Sequence, residues 1–315
     1  MRAIARPRLH ELLSHGTSST LTLVSAPPGF GKTTLLAEWT ARGQRLGPVC
    51  WVGLDEDDNA RARMWQAIAS AVAEGVPELG ELSGETGART PLDTATLLIN
   101  RVAEHDKPVV LILDDVHSLD ERSTLGDIAH LVKHAPPQLR IVLSTRSDPP
   151  IPLDRYRLSD SLVEIRAAEL AMTVDETQDM LGGVADELTD AEIEALCERT
   201  EGWAAAIRLA AISLESTDDP HRFVADFAAD DRAISDYLLN EVLDQQPEDL
   251  RTFLLRTSLP DRLTADLAAD LTGRADAGAV LADLARRNLF PPPARTTGRH
   301  VPVSLPLQVR SCRPS

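Results

Sequence analysis

The most informative stretch of this sequence lies near its N-terminus and reads Ala26-Pro27-Pro28-Gly29-Phe30-Gly31-Lys32-Thr33-Thr34. It follows an apolar run over residues 21–25 and precedes an amphipathic run that extends to residue 42. A glycine-rich turn between a strand and a helix is the setting of a phosphate-binding P-loop. Its glycines let backbone N–H groups turn toward phosphate oxygens, and the helix N-terminus adds a positive dipole end. The stretch therefore predicts a nucleotide site.

The side chains of this loop have separate expected roles. Lys32 would place its charge on the β- and γ-phosphates of ATP, and the Thr33 hydroxyl would ligate Mg²⁺. The remaining nucleotide-binding positions are predicted at Pro28, Gly29, Phe30, Gly31 and Thr34. Ala26 departs from the usual pattern, because a glycine normally begins the loop. The alternative is a glycine-rich turn with a chance Gly-Lys-Thr.

A second motif places two carboxylates after an apolar strand. Residues 109–113 are all apolar, which is typical of a strand buried on both faces, and Asp114 and Asp115 follow. Asp114 is predicted to hold Mg²⁺ through water. Asp115 is predicted to orient or deprotonate an attacking water, as a catalytic residue. An ordinary acidic turn at a strand end is the alternative.

Further polar residues follow other predicted strands. Arg146 ends the fourth strand, at the sheet edge where ligands bind, and is predicted as a catalytic contact to the γ-phosphate. A surface arginine paired with Asp148 is the alternative. His117 either touches the phosphates or caps its loop. The acidic run 55–58 either binds a cation or is simply solvated.

The pattern of apolar residues predicts the architecture. Apolar runs at 21–25, 49–53, 109–113, 139–144 and 162–165 alternate with helical patterns, which indicates an α/β fold with a parallel sheet. After about residue 170 the patterns are helical, with capping residues such as Thr173 before Glu176. We expect a P-loop NTPase domain over residues 1–170 and an all-α helical domain over residues 171–257.

Composition excludes several classes of protein. The chain has 315 residues with a net charge of −17, which disfavours direct binding to DNA or to an anionic membrane. Its three cysteines are far apart, which excludes a disulfide framework and fits a reducing compartment. Since no apolar window approaches the roughly 18 residues of a membrane span, we expect a cytoplasmic protein without membrane contact.

The last 25 residues differ from the rest of the chain. Residues 291–315 contain six prolines and four arginines but no Asp or Glu. They are expected either to form a disordered tail or to be foreign to the fold, as after a frameshift.

Several motifs occur together in an order typical of one family. They are Arg6-Pro7-Arg8-Leu9, the P-loop with residues 37–39, and residues 54–59, 113–117, 144–150, 199–205 and 253–258. Together they resemble the N-terminal part of large LuxR-type, ATP-dependent transcriptional regulators, the MalT-like branch of the STAND NTPases. The resemblance covers about residues 1–290. It implies an AAA-like NTPase domain, a helical domain and a winged helix, here partial over residues 258–290, with the chain ending before the sensor repeats and helix-turn-helix.

The resemblance also implies a mechanism. ADP would hold the domains closed, whereas an inducer with ATP and Mg²⁺ would open them for self-association, with slow hydrolysis serving the switch. Trp203 would lie near the nucleotide base and sugar, and Arg6 would border the adenine. Family members carry a His-containing stretch soon after the position of residues 288–290, where this chain has Pro291–Arg295, so an incomplete winged helix is expected.

One alternative function comes from a different class. A P-loop ATPase or kinase acting on a small molecule would share the same phosphate loop. Such an enzyme usually adds a basic substrate lid, whereas the predicted helices after residue 170 are acidic.

Overall fold

The computed structural model describes residues 4–42, 47–80, 82, 91–227, 247–257 and 264–286. The chain divides into two compact units. The first, called the α/β unit, comprises Ala5–Ala26 and Lys32–Glu169. The second, called the helical unit, groups Pro27–Gly31 with the residues from Leu170 onward. The predicted domain boundaries near residues 170 and 257 stay predictions.

A five-stranded parallel sheet forms the centre of the α/β unit, as the sequence predicts. Its strands are β1 (Leu21–Ser25), β2 (Val49–Gly53), β3 (Val109–Asp114), β4 (Leu139–Thr145) and β5 (Leu162–Arg166). Every residue of β1 and β3 is buried, which explains the continuous apolar run over residues 109–113 of β3.

Helices connect these strands. They are α1 (Pro7–Gly16), α2 (Lys32–Ala41), α3 (Arg61–Gly75), α4 (Pro91–Ala103), α5 (Arg122–His134), α6 (Leu153–Leu158) and α7 (Ala167–Leu170). Helices α1, α6 and α7 are not predicted from the sequence. Helix α1 begins with proline at its first position, a favourable place for that residue, and buries Leu9 and Leu13.

The strand order determines which loops meet. The order is β2-β3-β4-β1-β5, so β4 separates β1 from β3. Ser25 pairs with Thr145, and Leu113 pairs with Leu143. Because all strands are parallel, the carboxyl ends of β1, β4 and β3 lie side by side at one edge of the sheet. The P-loop lysine, Arg146 and the Asp pair follow these three ends.

The described residues of the helical unit form helices and no strands. The helices are α8 (Val174–Leu181), α9 (Asp190–Arg199), α10 (Ala204–Leu214), α11 (Pro220–Asp226), α12 (Glu248–Thr257), α13 (Ala265–Thr272) and α14 (Ala277–Arg286). The predicted capping box of Thr173 with Glu176 is present, and each makes its reciprocal hydrogen bond. The helix predicted at 232–244 and the segment 291–315 lie outside the described residues.

Two apolar clusters organise the described part of the helical unit. One surrounds Trp203 and includes Leu196 and Ala206, and the other surrounds Phe253. None of the described helices is long and apolar enough to cross a membrane.

Candidate functional site

The loop after β1 has the backbone of an anion cradle. Gly29 and Gly31 have φ angles of +79° and +80°, a region that residues with a side chain rarely adopt. A Cβ atom added at Gly31 would meet nothing within 4 Å. Among the described residues, none accepts a hydrogen bond from the N–H of Gly29 or Gly31. These unpaired amides, with open space beside Gly31, fit a bound phosphate group.

Lys32 begins α2 and carries the charge that the cradle requires. Its side chain is buried, with 7% exposed, and its Nζ donates a hydrogen bond to the Ala26 carbonyl at 2.7 Å. Burial lowers its pKa to about 8, with a further lowering from Arg146 and an opposing effect of Asp115 and Asp114. A partly dehydrated ammonium of this kind would gain from a phosphate placed beside it. Thr33 is exposed at the start of the same helix.

The two predicted carboxylates lie where β3 ends. Asp114 is buried, and its Oδ1 accepts a hydrogen bond from the Asp115 N–H at 3.1 Å. Asp115 has a left-handed backbone with φ of 58°, a strained conformation of the sort that clusters at functional sites. Burial, followed by the charge of Asp114, raises the pKa of Asp115. A carboxylate with a raised pKa is a stronger proton acceptor than an ordinary aspartate.

Arg146 and His117 complete this cluster within the α/β unit. The charge of Arg146 lowers the pKa of both Lys32 and His117, so the three groups share one electrostatic environment. Burial is the main reason that the pKa of His117 falls to about 4, which keeps the imidazole neutral at pH 7. Its Nδ1 lies 3.6 Å from Asp115 Oδ1. Asp148, the partner considered for Arg146, binds Arg166 and accepts a hydrogen bond from Ser25 Oγ.

One group at this edge received no role from the sequence. The hydroxyl of Ser144 is fully buried at the end of β4 and has no hydrogen-bond partner among the described residues. Its position beside Val24 follows from the strand register. Since that register is a long-range pairing, nothing local to residue 144 indicates it.

The acidic run 55–58 has a structural role. Asp55 and Asp58 form a capping box over a 3₁₀ turn, Glu56–Asn59. Arg63 lies within ion-pair distance of Asp55, Asp57 and Asp58. No cluster of three metal-binding side chains occurs in the described ranges. Capping and ion pairing account for the carboxylates of Asp55, Asp57 and Asp58.

The two residues expected near the adenine lie in different units. Arg6 is buried immediately before α1, and its carbonyl accepts hydrogen bonds from the N–H groups of Leu9 and His10. Trp203 belongs to the helical unit, and its indole Nε1 donates a hydrogen bond to the Pro28 carbonyl at 3.0 Å. Their predicted contacts with the nucleotide stay predictions.

Comparison with known proteins agrees with this geometry. The description of an AAA ATPase domain matches residues 1–144, and that of a MalT winged helix domain matches residues 239–301. The chain therefore combines a region similar to AAA ATPase domains with a region similar to the MalT winged helix domain, as its motifs predicted. The winged-helix match runs past residue 290 into the segment predicted to be a tail.

Curated relatives are similar along most of this chain. The serine/threonine-protein kinase PknK of Mycobacterium tuberculosis (strain ATCC 25618 / H37Rv) is 32% identical over 295 residues, which cover 91% of this chain and 26% of PknK. The transcriptional regulator MalT of Yersinia enterocolitica is 31% identical over 296 residues, covering 91% of this chain and 32% of MalT. The chain thus spans between a quarter and a third of these relatives.

Solved structures resemble the chain only coarsely. A signal transduction ATPase with numerous domains (STAND) from Pyrococcus horikoshii has a TM-score of 0.49 at 17% identity, covering 98% of this chain and 43% of that one. Cdc6p from Pyrobaculum aerophilum has a TM-score of 0.47 at 16% identity, covering 98% of this chain and 91% of that one.

Proposed function

We propose that this chain is the nucleotide-dependent switch of a MalT-like regulator, binding ATP or ADP with Mg²⁺ and hydrolysing ATP slowly. One observation carries the proposal. The Lys32 ammonium, bound to the carbonyl that follows β1, lies at the same edge of the sheet as Asp114, Asp115 and Arg146, which stand at the ends of β3 and β4. A phosphate loop, a carboxylate pair and an arginine are the groups that P-loop NTPases use to bind and cleave a nucleoside triphosphate.

The residues present suit such a ligand. The amides of Gly29 and Gly31 would receive phosphate oxygens, and Lys32 would exchange its bond to the Ala26 carbonyl for the β- and γ-phosphates. The Thr33 hydroxyl and the Asp114 carboxylate are hard oxygen donors of the kind that Mg²⁺ prefers. When bound, Mg²⁺ would neutralise part of the negative charge on the phosphates.

Hydrolysis would use the outer part of the cluster. Asp115 would accept a proton from the attacking water as the water oxygen bonds to the γ-phosphorus and the bond to the ADP oxygen breaks. Arg146 would stabilise the charge that develops on the γ-phosphate oxygens. Neutral His117, 3.6 Å from Asp115, adds no competing charge at pH 7.

The regulatory part of the proposal rests on similarity to MalT. Because the chain spans about a third of that relative, transcriptional control belongs to a whole protein of this type. The role of this module would be to convert the bound nucleotide into opening and self-association.

The first test is the nucleotide content of the purified chain. Extraction followed by chromatography should release close to one ADP or ATP per chain from the parent and much less from the Lys32→Ala variant. Lys133 provides the matched control, because it is an exposed lysine on α5 outside the cluster. The Lys133→Ala variant should retain the parental nucleotide content.

Titration gives the quantitative form of the test. Lys32→Ala should weaken ATP binding at least about tenfold, equivalent to about 1.4 kcal/mol. Equal affinities in the parent and this variant would remove Lys32 from the site. Turnover stimulated by one metabolite, with that metabolite phosphorylated, would instead support the small-molecule kinase.

A further inference from the structure

Two backbone carbonyl groups of the phosphate loop, residues 27–31, accept hydrogen bonds from the rest of the helical unit. The indole Nε1 of Trp203 donates to the Pro28 carbonyl at 3.0 Å, and the backbone N–H of Ala205 donates to the Gly29 carbonyl, also at 3.0 Å. The Phe30 side chain packs against the apolar cluster that contains Trp203. Consecutive residues of the loop are therefore anchored by two hydrogen bonds and one apolar contact.

These anchors determine where the loop amides point. In a trans peptide unit the carbonyl and the following N–H point in opposite directions. No peptide bond in the described ranges is cis. Fixing the Pro28 carbonyl on Trp203 therefore turns the Gly29 N–H away from Trp203. Fixing the Gly29 carbonyl on the Ala205 N–H likewise turns the Phe30 N–H away from Ala205.

The anchor is itself held rigidly. Trp203 is buried, with only 3% of its surface exposed. It follows a tight turn in which Gly202 has a φ angle of +68°. The Gly202 N–H donates to the Cys197 carbonyl at 3.0 Å, and the Met172 N–H donates to the Gly202 carbonyl at 2.8 Å. The position of the indole is thus fixed by α9 and by the segment before α8.

We propose that Trp203 and Ala205 are positioning residues for the phosphate loop, holding its carbonyls so that its amides face a bound phosphate. This inference rests on the proposed nucleotide function but assigns Trp203 to the loop backbone instead of the base. It follows that Trp203 contributes to affinity for the phosphate chain whatever base is attached.

The test begins with the full-length chain free of nucleotide. The Trp203→Phe variant keeps an aromatic ring in the cluster but removes the indole donor. Amide hydrogen exchange should become faster in peptides that cover residues 27–31. Trp39→Phe is the matched control, because Trp39 is also buried and donates its indole N–H, but to Ser14 Oγ at 3.0 Å. Exchange at residues 27–31 should be unchanged in that control.

Ligand binding provides the second readout. Titration with ATP, GTP and tripolyphosphate should show a similar loss for all three in Trp203→Phe, about 2- to 10-fold, the scale expected for one lost hydrogen bond. A loss confined to ATP would overturn the proposal and support contact with the base. Parental exchange together with parental affinities would also overturn it.

A second variant guards against a general folding defect. Ala205 lies in the first turn of α10, where proline is tolerated because the N–H has no partner within the helix. Ala205→Pro should therefore release the Gly29 carbonyl and accelerate exchange at residues 27–31, while peptides from the end of α10 keep parental protection. Unchanged exchange in the loop would contradict the proposal.

The nucleotide site and the positioning role of Trp203 can be refuted separately. If Lys32→Ala binds ATP as well as the parent, the proposed nucleotide site is wrong. The exchange measurements without nucleotide still decide whether Trp203 holds the loop. If Lys32→Ala loses ATP while Trp203→Phe changes nothing, only the positioning role is wrong.

Discussion

Substituting Gly202 by alanine should destabilise the helical unit more than a comparable glycine substitution elsewhere. A Cβ atom at Gly202 would lie 2.6 Å from the Met172 carbonyl oxygen and 2.7 Å from the Met172 nitrogen. Both neighbours are backbone atoms, so neither can rotate away. The Met172 N–H donates a hydrogen bond to the Gly202 carbonyl, and the Met172 carbonyl accepts one from the Cys197 thiol. A shift of the Met172 backbone would therefore strain both hydrogen bonds.

The expected size of the effect has two sources. The positive φ of 68° costs a residue with a side chain about 1–2 kcal/mol. Forcing an extra carbon into a packed backbone contact adds about 1–3 kcal/mol. Gly273→Ala isolates the first source, since Gly273 has φ of 72° and a Cβ there would meet nothing within 4 Å. Gly202→Ala should therefore exceed Gly273→Ala by about 1–3 kcal/mol.

Native-state hydrogen exchange measures this difference locally. Peptides from α9 and α10 flank Gly202 and report the free energy of opening of that region, in which each factor of ten in rate corresponds to about 1.4 kcal/mol. In Gly202→Ala these amides should exchange much faster than in the parent. In Gly273→Ala the change should be confined to α13 and α14.

An equal loss of protection in the two variants, each read in its own helices, would refute the reasoning. It would mean that the backbone around Met172 adjusts at no cost, and that the turn does not hold Trp203 rigidly. A small effect in Gly202→Ala with unchanged exchange at residues 27–31 would weaken the anchoring argument in the same way.

Three further predictions concern the loop, the metal and acid stability. Gly29→Ala should accelerate amide exchange of residues 27–31 in the nucleotide-free chain more than Gly31→Ala, because only the Cβ at Gly29 would meet other side chains, at 2.7 Å. Asp114→Asn should weaken the Mg²⁺ dependence of ATP binding about tenfold while Mg²⁺-free binding changes little, as tested by titration at graded Mg²⁺. The pKa of Glu164 is lowered to about 2, chiefly by its hydrogen bond from Arg157. Its stabilising effect should be complete above the ordinary value of 4.5 and disappear as pH falls toward 2, so Glu164→Gln should lower Tm at pH 7 but flatten the fall of Tm in acid.

Much of the α/β unit could be read from local sequence. A strand buried on both faces has a continuous apolar sequence, so residues 109–113 predicted β3 without any tertiary information. The P-loop could also be predicted from local sequence, because its glycines and the lysine that follows them lie within one short loop. Capping residues such as Thr173 likewise act within four positions along the sequence.

Other features depend on residues far apart in the chain. The neutral state of His117 follows from burial and from the charges of Arg146 and Lys32, which are distant in the chain. The acidic run 55–58 is a more local case, because Arg63, five to eight positions away, meets Asp55, Asp57 and Asp58 once the 3₁₀ turn leads into α3. Sequence patterns left both the histidine and the acidic run with two interpretations.

The sequence by itself determined the kind of protein: a parallel sheet, a phosphate loop and a MalT-like succession of motifs. These are consequences of periodicity and short spacing, which act over a few residues. Only the tertiary structure decided that β4 lies between β1 and β3, so that Lys32, Asp114 and Arg146 meet at one edge. Only the tertiary structure brought the Trp203 indole to the Pro28 carbonyl, 175 positions away in the chain. Both juxtapositions are long-range, because strand order and the burial of a side chain are properties of the whole folded chain.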